Sequence, residues 1–203
     1  MPGWCVLSNI KKLALGVSWG TVSVVTVTVL QLILLAVMAR LLKPTDYGLV
    51  AIANISLRFF SYFAQMGIAQ ALIQKPTLED GNVRAALALI LGISSFFCLL
   101  AIGVAGLIEG YYEMPGLGLI MQVLAINFVI AGFSSVSISL MRRRAAFREL
   151  AIIEIVSYAC GYGLVGLSLA YFNAGVWALV AALMSQTIVT TVLSYLVIRH
   201  PIG

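Results

Sequence analysis

One arginine sits where hydrocarbon is expected to surround it. Arg58 falls inside an apolar run from Tyr47 to Gln74, and Asn54, Ser61 and Gln65 share that run with it. The four are spaced i, i+4, i+7 and i+11, which puts them on one face of a helix. A guanidinium stays charged at any depth and offers a planar fork of donors that fits phosphate or carboxylate oxygens in pairs. Amide and hydroxyl groups beside it can donate to and accept from sugar hydroxyls. Arg58 lies about eleven residues into its span, roughly 16 Å, too deep to snorkel easily to either surface. It should therefore face a wet or a paired interior. Two roles fit: counter-ion for an anionic ligand in a cavity, or structural partner of an acid on another span, Glu154 being the candidate.

Other spans carry polar stripes of their own. Ser18, Thr21, Thr28 and Gln31 line the first, Asn127, Ser134 and Ser137 the fourth, and Glu154, Ser157, Gly161 and Ser168 the fifth. Gln31, Asn127 and Glu154 join Arg58, Asn54, Ser61 and Gln65 as candidate cavity residues. The competing reading of the hydroxyl and glycine positions is that small residues simply let helices approach closely. Glu154 is only about 8 Å past Glu149 along a helix, near enough to reach headgroups.

No catalytic set can be assembled. The single histidine, His200, is close to the chain's end, and no span pairs acids at metal-ligand or acid/base spacing. Asp80-Gly81 suggests a phospholipid-synthesis motif, but the further aspartates that its Mg²⁺ chemistry needs are missing. Cys5, Cys98 and Cys160 have no metal-type spacing and read as packing residues. No catalytic residue, metal or cofactor is expected, and an enzyme is not.

What positions these residues is a set of apolar segments filling almost the whole chain. Charged residues make up 9% and hydrophobic residues 62% of 203, with a mean hydropathy of +1.09. A water-soluble domain with that ratio has too little polar surface to cover it. Six runs of membrane-crossing length follow: 13–39, 47–74, 85–108, 117–141, 151–172 and 176–198. Residues 1–12 precede them and 199–203 form a tail. The first run is too long for a signal peptide's core and is followed at once by Arg40.

Charge in the gaps sets the orientation. Lys11, Lys12, Lys75, Arg84, Arg142, Arg143, Arg144, Arg148 and Arg199 fall on one side and only Arg40 and Lys43 on the other. Excess Lys/Arg marks the cytoplasmic side, so both termini are expected inside. Arg142, Arg143, Arg144 and Arg148 then sit at cytoplasmic headgroups as topology anchors. The net charge of +5 reflects this bias; no aromatic-interleaved basic stretch suited to nucleic acid is present. Proline and capping residues crowd the short gaps: Pro44-Thr45-Asp46, Pro76-Thr77 with Asp80, and Met114-Pro115-Gly116. Loops this short make neighbouring helices antiparallel, and the expected fold class is an all-α membrane bundle of six helices.

Particular stretches resemble a known family. Gly16-Val17-Ser18-Trp19-Gly20, Ala39-Arg40-Leu41-Leu42-Lys43-Pro44-Thr45-Asp46-Tyr47-Gly48-Leu49, and Gly67-Ile68-Ala69-Gln70-Ala71-Leu72-Ile73-Gln74 are similar to the opening of polysaccharide-type flippases. These belong to the multidrug/oligosaccharidyl-lipid/polysaccharide exporter superfamily, which is MATE-like in fold. Phe147-Arg148-Glu149-Leu150-Ala151, Glu154, Ser157-Tyr158, Gly161-Tyr162-Gly163 and Gly175-Val176-Trp177-Ala178-Leu179 continue the match. The resemblance implies a bacterial inner-membrane transporter that moves an oligosaccharide on a polyprenyl pyrophosphate to the outer leaflet for surface polysaccharide synthesis. Such transporters have two six-helix bundles, of which this chain matches the first. A fragment, a truncated frame or a dimerising half is expected, and Met1–Leu7 departs from the family.

The implied partners are the lipid-linked sugar, membrane lipid, the second bundle, and the polymerase and glycosyltransferases of the pathway. In this reading Arg58 holds the pyrophosphate, Gln31, Asn54, Gln65 and Asn127 meet sugar hydroxyls, and rocking of the bundles alternates access. Two rivals are a drug or metabolite exporter of the same superfamily and a non-transporting membrane scaffold.

Overall fold

The computed structural model describes residues 24–64, 80–144 and 146–198, with side chains for 24–60, 87–144 and 146–197. Every regular element among them is helical. In chain order these are α1 (Val24–Leu41), α2 (Pro44–Ala64), α3 (Asp80–Tyr112) and α4 (Leu117–Arg143). Then come α5 (Phe147–Tyr158), a π-helical segment π1 (Ala159–Gly166), α6 (Leu167–Tyr171) and α7 (Val176–Ile198). α5, π1 and α6 run on as one span.

Five helices are long and apolar enough to cross a membrane: α1, α3, α4, the α5–π1–α6 span and α7. The second expected span, 47–74, continues beyond the described residues, and α2 is its described part. The first half of the expected first span and the charged gap before α3 also lie outside them.

Packing is the reverse of a soluble protein's. Ala53, Ala101, Ala105, Ala125, Ala178 and Ala182 are completely buried, whereas Ile55, Leu99 and Leu107 are 68%, 70% and 74% exposed. Lipid tails are as apolar as leucine, so large side chains gain nothing by turning inward, and small ones let backbones come close. α4 is the most buried span and packs on α2, α3 and α7. The core joins Met38, Ala53, Leu57, Ala101, Ile120, Met121 and Leu179 across these helices. Val27 and Leu34 of α1 cover Tyr158 on the other flank.

Glycines sit where helices touch. A Cβ on Gly161 of π1 would come within 2.7 Å of Gln186 Cβ and 2.8 Å of the Ala182 carbonyl on α7. One on Gly132 of α4 would meet Ser94 Oγ at 2.9 Å. Close packing of small residues therefore accounts for these positions.

Turn chemistry closes the helix ends. Pro44 opens α2, and Asp46 accepts a hydrogen bond from the Lys43 N–H at 3.2 Å, as an acidic residue in a capping box does. At the same end of the bundle Asp46 approaches Gly175, whose φ of +58° makes the turn into α7. α3 and α4 are joined by a turn with φ of +52° at Glu113 and +90° at Gly116. Exposed aromatics mark this end: Tyr111 (83%), Tyr171 (76%), Phe172 (75%) and Trp177 (41%). The opposite end carries Arg142, Arg143, Arg144 and Arg148 at the α4–α5 turn. Aromatic residues at one boundary and arginines at the other are how a spanning bundle meets its two headgroup layers.

The polar stripe expected on the fifth span does not hold together. Ser157 and Gly161 are buried, but Glu154 and Ser168 are exposed. For Ser168 the cause is π1: i→i+5 bonding turns each residue through less than the ~100° of an α-helix, so Ser168 drifts off the face that Ser157 occupies.

Candidate functional site

α2 turns two adjacent strips inward and sideways. Val50, Ala53 and Leu57 are buried in the core. One step round the helix, Asn54 is half-buried and Arg58, a turn further on, is exposed. Asn54 Nδ2 donates to the Val50 carbonyl at 2.9 Å. That bond holds the amide along its own helix. No hydrogen bond or ion pair reaches the Arg58 side chain among the described residues. Ser61 and Gln65, the other members of the stripe, lie outside the described side chains.

Glu154 is also exposed, and it has an interaction of its own, but Arg58 is not its partner. α2 packs closely on α3, α4 and α7 rather than on α5 or π1. The structure therefore brings Arg58 and Asn54 to one face and leaves Glu154 elsewhere.

Tyr47 continues the Asn54–Arg58 face toward the aromatic end, seven residues before Asn54. Its hydroxyl is buried and has no hydrogen-bond partner. The ring lies within electrostatic range of Tyr158 and Tyr162, which stack on each other with centroids 4.6 Å apart and planes 15° off parallel. Tyr47 of α2 thus lies in the neighbourhood of a stacked Tyr158–Tyr162 pair from α5 and π1. Sequence reasoning missed this cluster. Its signal was present in Tyr47's register with Asn54 and in the i, i+4 spacing of Tyr158 and Tyr162.

Asn127 on α4 is half-buried, and its Oδ1 is a second buried acceptor without a partner. Ser157 Oγ, fully buried, is a third such atom. Ser134 satisfies itself on the Ala131 carbonyl at 2.9 Å, and Ser137 is buried. Across the α4–α7 seam, Thr191 Oγ1 donates to the Ile130 carbonyl at 3.2 Å, an interhelical bond of the kind that joins membrane spans. Gln31 is exposed on α1. Orphaned carboxamide, phenol and hydroxyl groups in an apolar bundle are costly unless water or a ligand meets them.

Arg142 and Arg143 fall in the last turn of α4, where positive charge opposes the helix dipole. Arg142, Arg144 and Arg148 are exposed and Arg143 is half-buried, all far from the tyrosine end. No group of three His, Cys, Asp or Glu side chains that could hold a metal occurs among the described residues.

An exposed guanidinium with an amide one turn before it on the same face of α2 can bind an anion through paired donors. No solved structure matches the chain. Curated proteins similar to it include three tied to polysaccharide synthesis. The lipopolysaccharide biosynthesis protein WzxC of Escherichia coli is 20% identical over 91% of this chain and 38% of its own length. The succinoglycan biosynthesis transport protein ExoT of Rhizobium meliloti is 24% identical over 95% of this chain and 39% of its own. The teichuronic acid biosynthesis protein TuaB of Bacillus subtilis is 23% identical over 88% and 36%. The chain thus spans under two fifths of the length of these relatives. A family described as polysaccharide biosynthesis protein matches residues 37–203. That stretch takes in α2 with Asn54 and Arg58, the tyrosine cluster and the arginine turn, and a match over most of this multi-pass membrane chain places it in the polysaccharide biosynthesis protein family.

Proposed function

We propose that the chain forms one bundle of a transporter that flips an oligosaccharide linked to a polyprenyl pyrophosphate from the inner to the outer leaflet of a bacterial inner membrane. Arg58 carries this reading: an exposed guanidinium with no hydrogen bond or ion pair among the described residues, on a face with Asn54, in a chain of the polysaccharide biosynthesis protein family. A charge at that depth is costly in lipid and is retained where an anion passes. The pyrophosphate carries fixed negative charge whatever the sugar, and a guanidinium fork matches its oxygens. The names of WzxC, ExoT and TuaB, all tied to polysaccharide synthesis or transport, support the substrate class.

In this reading the bundle has six spans with both termini in the cytoplasm, α2 belonging to the second. Asn54, Ser61, Gln65, Gln31 and Asn127 face the sugar, and a second bundle completes the cavity while the polyprenyl tail stays in lipid. Glu154, being exposed and joined to another group, is left out of the phosphate contact. Transport chemistry of this kind forms no covalent bond, so the protein acts by binding and by alternating access.

The test is depletion of the full-length transporter in its host. Lipid-linked oligosaccharide should accumulate facing the cytoplasm while its synthesis continues. Unchanged surface polysaccharide, with no accumulation, would refute the assignment.

A further inference from the structure

The buried seam of the α5–π1–α6 span keeps a count that no unbroken α-helix keeps. Ile153, Ser157, Gly161, Gly166 and Ala170 are buried along it. The step is four residues each time, except from Gly161 to Gly166, where it is five. Steps of four hold one face of an α-helix. The extra residue is the one that π1 takes up. Continued from Gly161 as an α-helix, the span would bring Val165 and Ser168 to the seam in place of Gly166 and Ala170. Ser168, now exposed, would then share the face of Ser157.

Packing holds the present register. A Cβ on Gly166 would lie 3.0 Å from Ala182 Cβ on α7 and 3.3 Å from Met38 Cε on α1. Val165 cannot take that seat unless α7 and α1 draw back. The backbone favours the other register, because π bonding is rare and is found as short insertions in α-helices. Gly163 lies between the two seam glycines, and neither ordinary reason for a glycine applies to it. A Cβ there meets nothing within 4 Å, and its φ is not left-handed. Such a glycine gives up helix stability and eases rearrangement of the turn around it. Seam packing and backbone bonding thus pull the same segment toward two discrete arrangements.

We propose that the α5–π1–α6 span is a one-residue register switch. π1 persists while Gly166 and Ala170 are seated in the seam. When the span separates from α7 and α1, π1 closes to an α-helix and α6 turns, so that Val165 and Ser168 come to the face of Ser157 and Gly161. Each register goes with one state of the seam, which couples a local change in bonding to movement between helices. Its use in alternating access rests on the proposed transport function; the register change itself does not.

The experiment deletes Gly163 from the full-length transporter, which leaves Ile153, Ser157, Gly161, Gly166 and Ala170 in steps of four throughout. The deleted protein should insert and unfold as the parent does, yet flip a polyprenyl-pyrophosphate-linked oligosaccharide about tenfold more slowly, because only one register remains. Gly163→Ala, which keeps the length, should slow flipping less and should not lower stability. Register is read separately by oxidative cross-linking after the native cysteines are replaced by alanine. Gly166→Cys paired with Ala182→Cys should cross-link with or without Gly163. Val165→Cys paired with Ala182→Cys should cross-link only when Gly163 is present, since only then does Val165 reach the seat opposite Ala182. Equal cross-linking of the Val165 pair in both backgrounds would overturn the switch. So would normal flipping by the deleted protein, or its failure to insert. If the parent flips no lipid-linked sugar, the transport reading fails and the cross-linking still decides the register.

Discussion

The Glu109 carboxylate accepts a hydrogen bond from the Gly116 N–H at 2.7 Å, and its other oxygen accepts one from Gly118 at 3.0 Å. An acid in the last turn of α3 thereby caps the first turn of α4, across a turn built on left-handed Glu113 and Gly116. The carboxylate also meets the positive end of the α4 dipole. Glu109→Gln keeps the shape and removes the charge, and should cost about 1 kcal/mol; Glu109→Ala should cost about 1–2 kcal/mol. Unfolding of the purified protein in graded denaturing detergent measures this, and no loss in either variant would show that the cap contributes nothing.

Gly161 and Gly163 provide a matched pair. A methyl at Gly161 meets Gln186 Cβ and the Ala182 carbonyl under 3.0 Å, whereas one at Gly163 meets nothing within 4 Å. Gly161→Ala should push π1 away from α7 and destabilise by about 1–3 kcal/mol, as overpacking does elsewhere. Gly163→Ala should change stability little or raise it. The same detergent-unfolding assay separates them, and equal effects would mean that the π1–α7 contact is looser than described.

Tyr47 tests whether the tyrosine cluster is dry. Its buried hydroxyl makes no bond, so Tyr47→Phe removes an unmet polar group and should leave stability unchanged or raise it by up to about 1 kcal/mol. A clear loss would show that water or a ligand satisfies the phenol and that the cluster belongs to the wet interior.

Topology follows from the two ends of the bundle. A reporter inserted beside Tyr112 should read periplasmic, and one following the last span should read cytoplasmic. The opposite pattern at either place would invert the frame in which Arg58 is reached.

Helix limits among the described residues can be set beside the apolar runs, whereas contacts between helices left little trace in the sequence. The expected last span, 176–198, coincides with α7, and the fourth begins at Leu117 as expected. α3 outruns the expected 85–108 at both ends, and α4 continues through Arg143. Charged residues mark where hydrocarbon stops, while backbone bonding carries the helix on into the headgroup layer. Glu109 was legible as an acid of the far-side gap, but its capping role depends on a turn geometry that periodicity does not encode. π1, within which Gly161 closely approaches α7, left no trace in the hydrophobic pattern. Arg58 stood out because one charge in an apolar run needs no three-dimensional context. Its separation from Glu154 did need that context.

The central claim is that Arg58 holds the pyrophosphate during translocation. The full-length transporter in proteoliposomes, loaded with a polyprenyl-pyrophosphate-linked oligosaccharide, allows the rate of headgroup flipping to be measured beside the amount of protein reconstituted. Arg58→Ala should insert at the normal level and flip at least tenfold more slowly, and Arg58→Lys should fall between, keeping charge but losing the paired geometry. Arg58→Ala flipping at the wild-type rate would contradict the account.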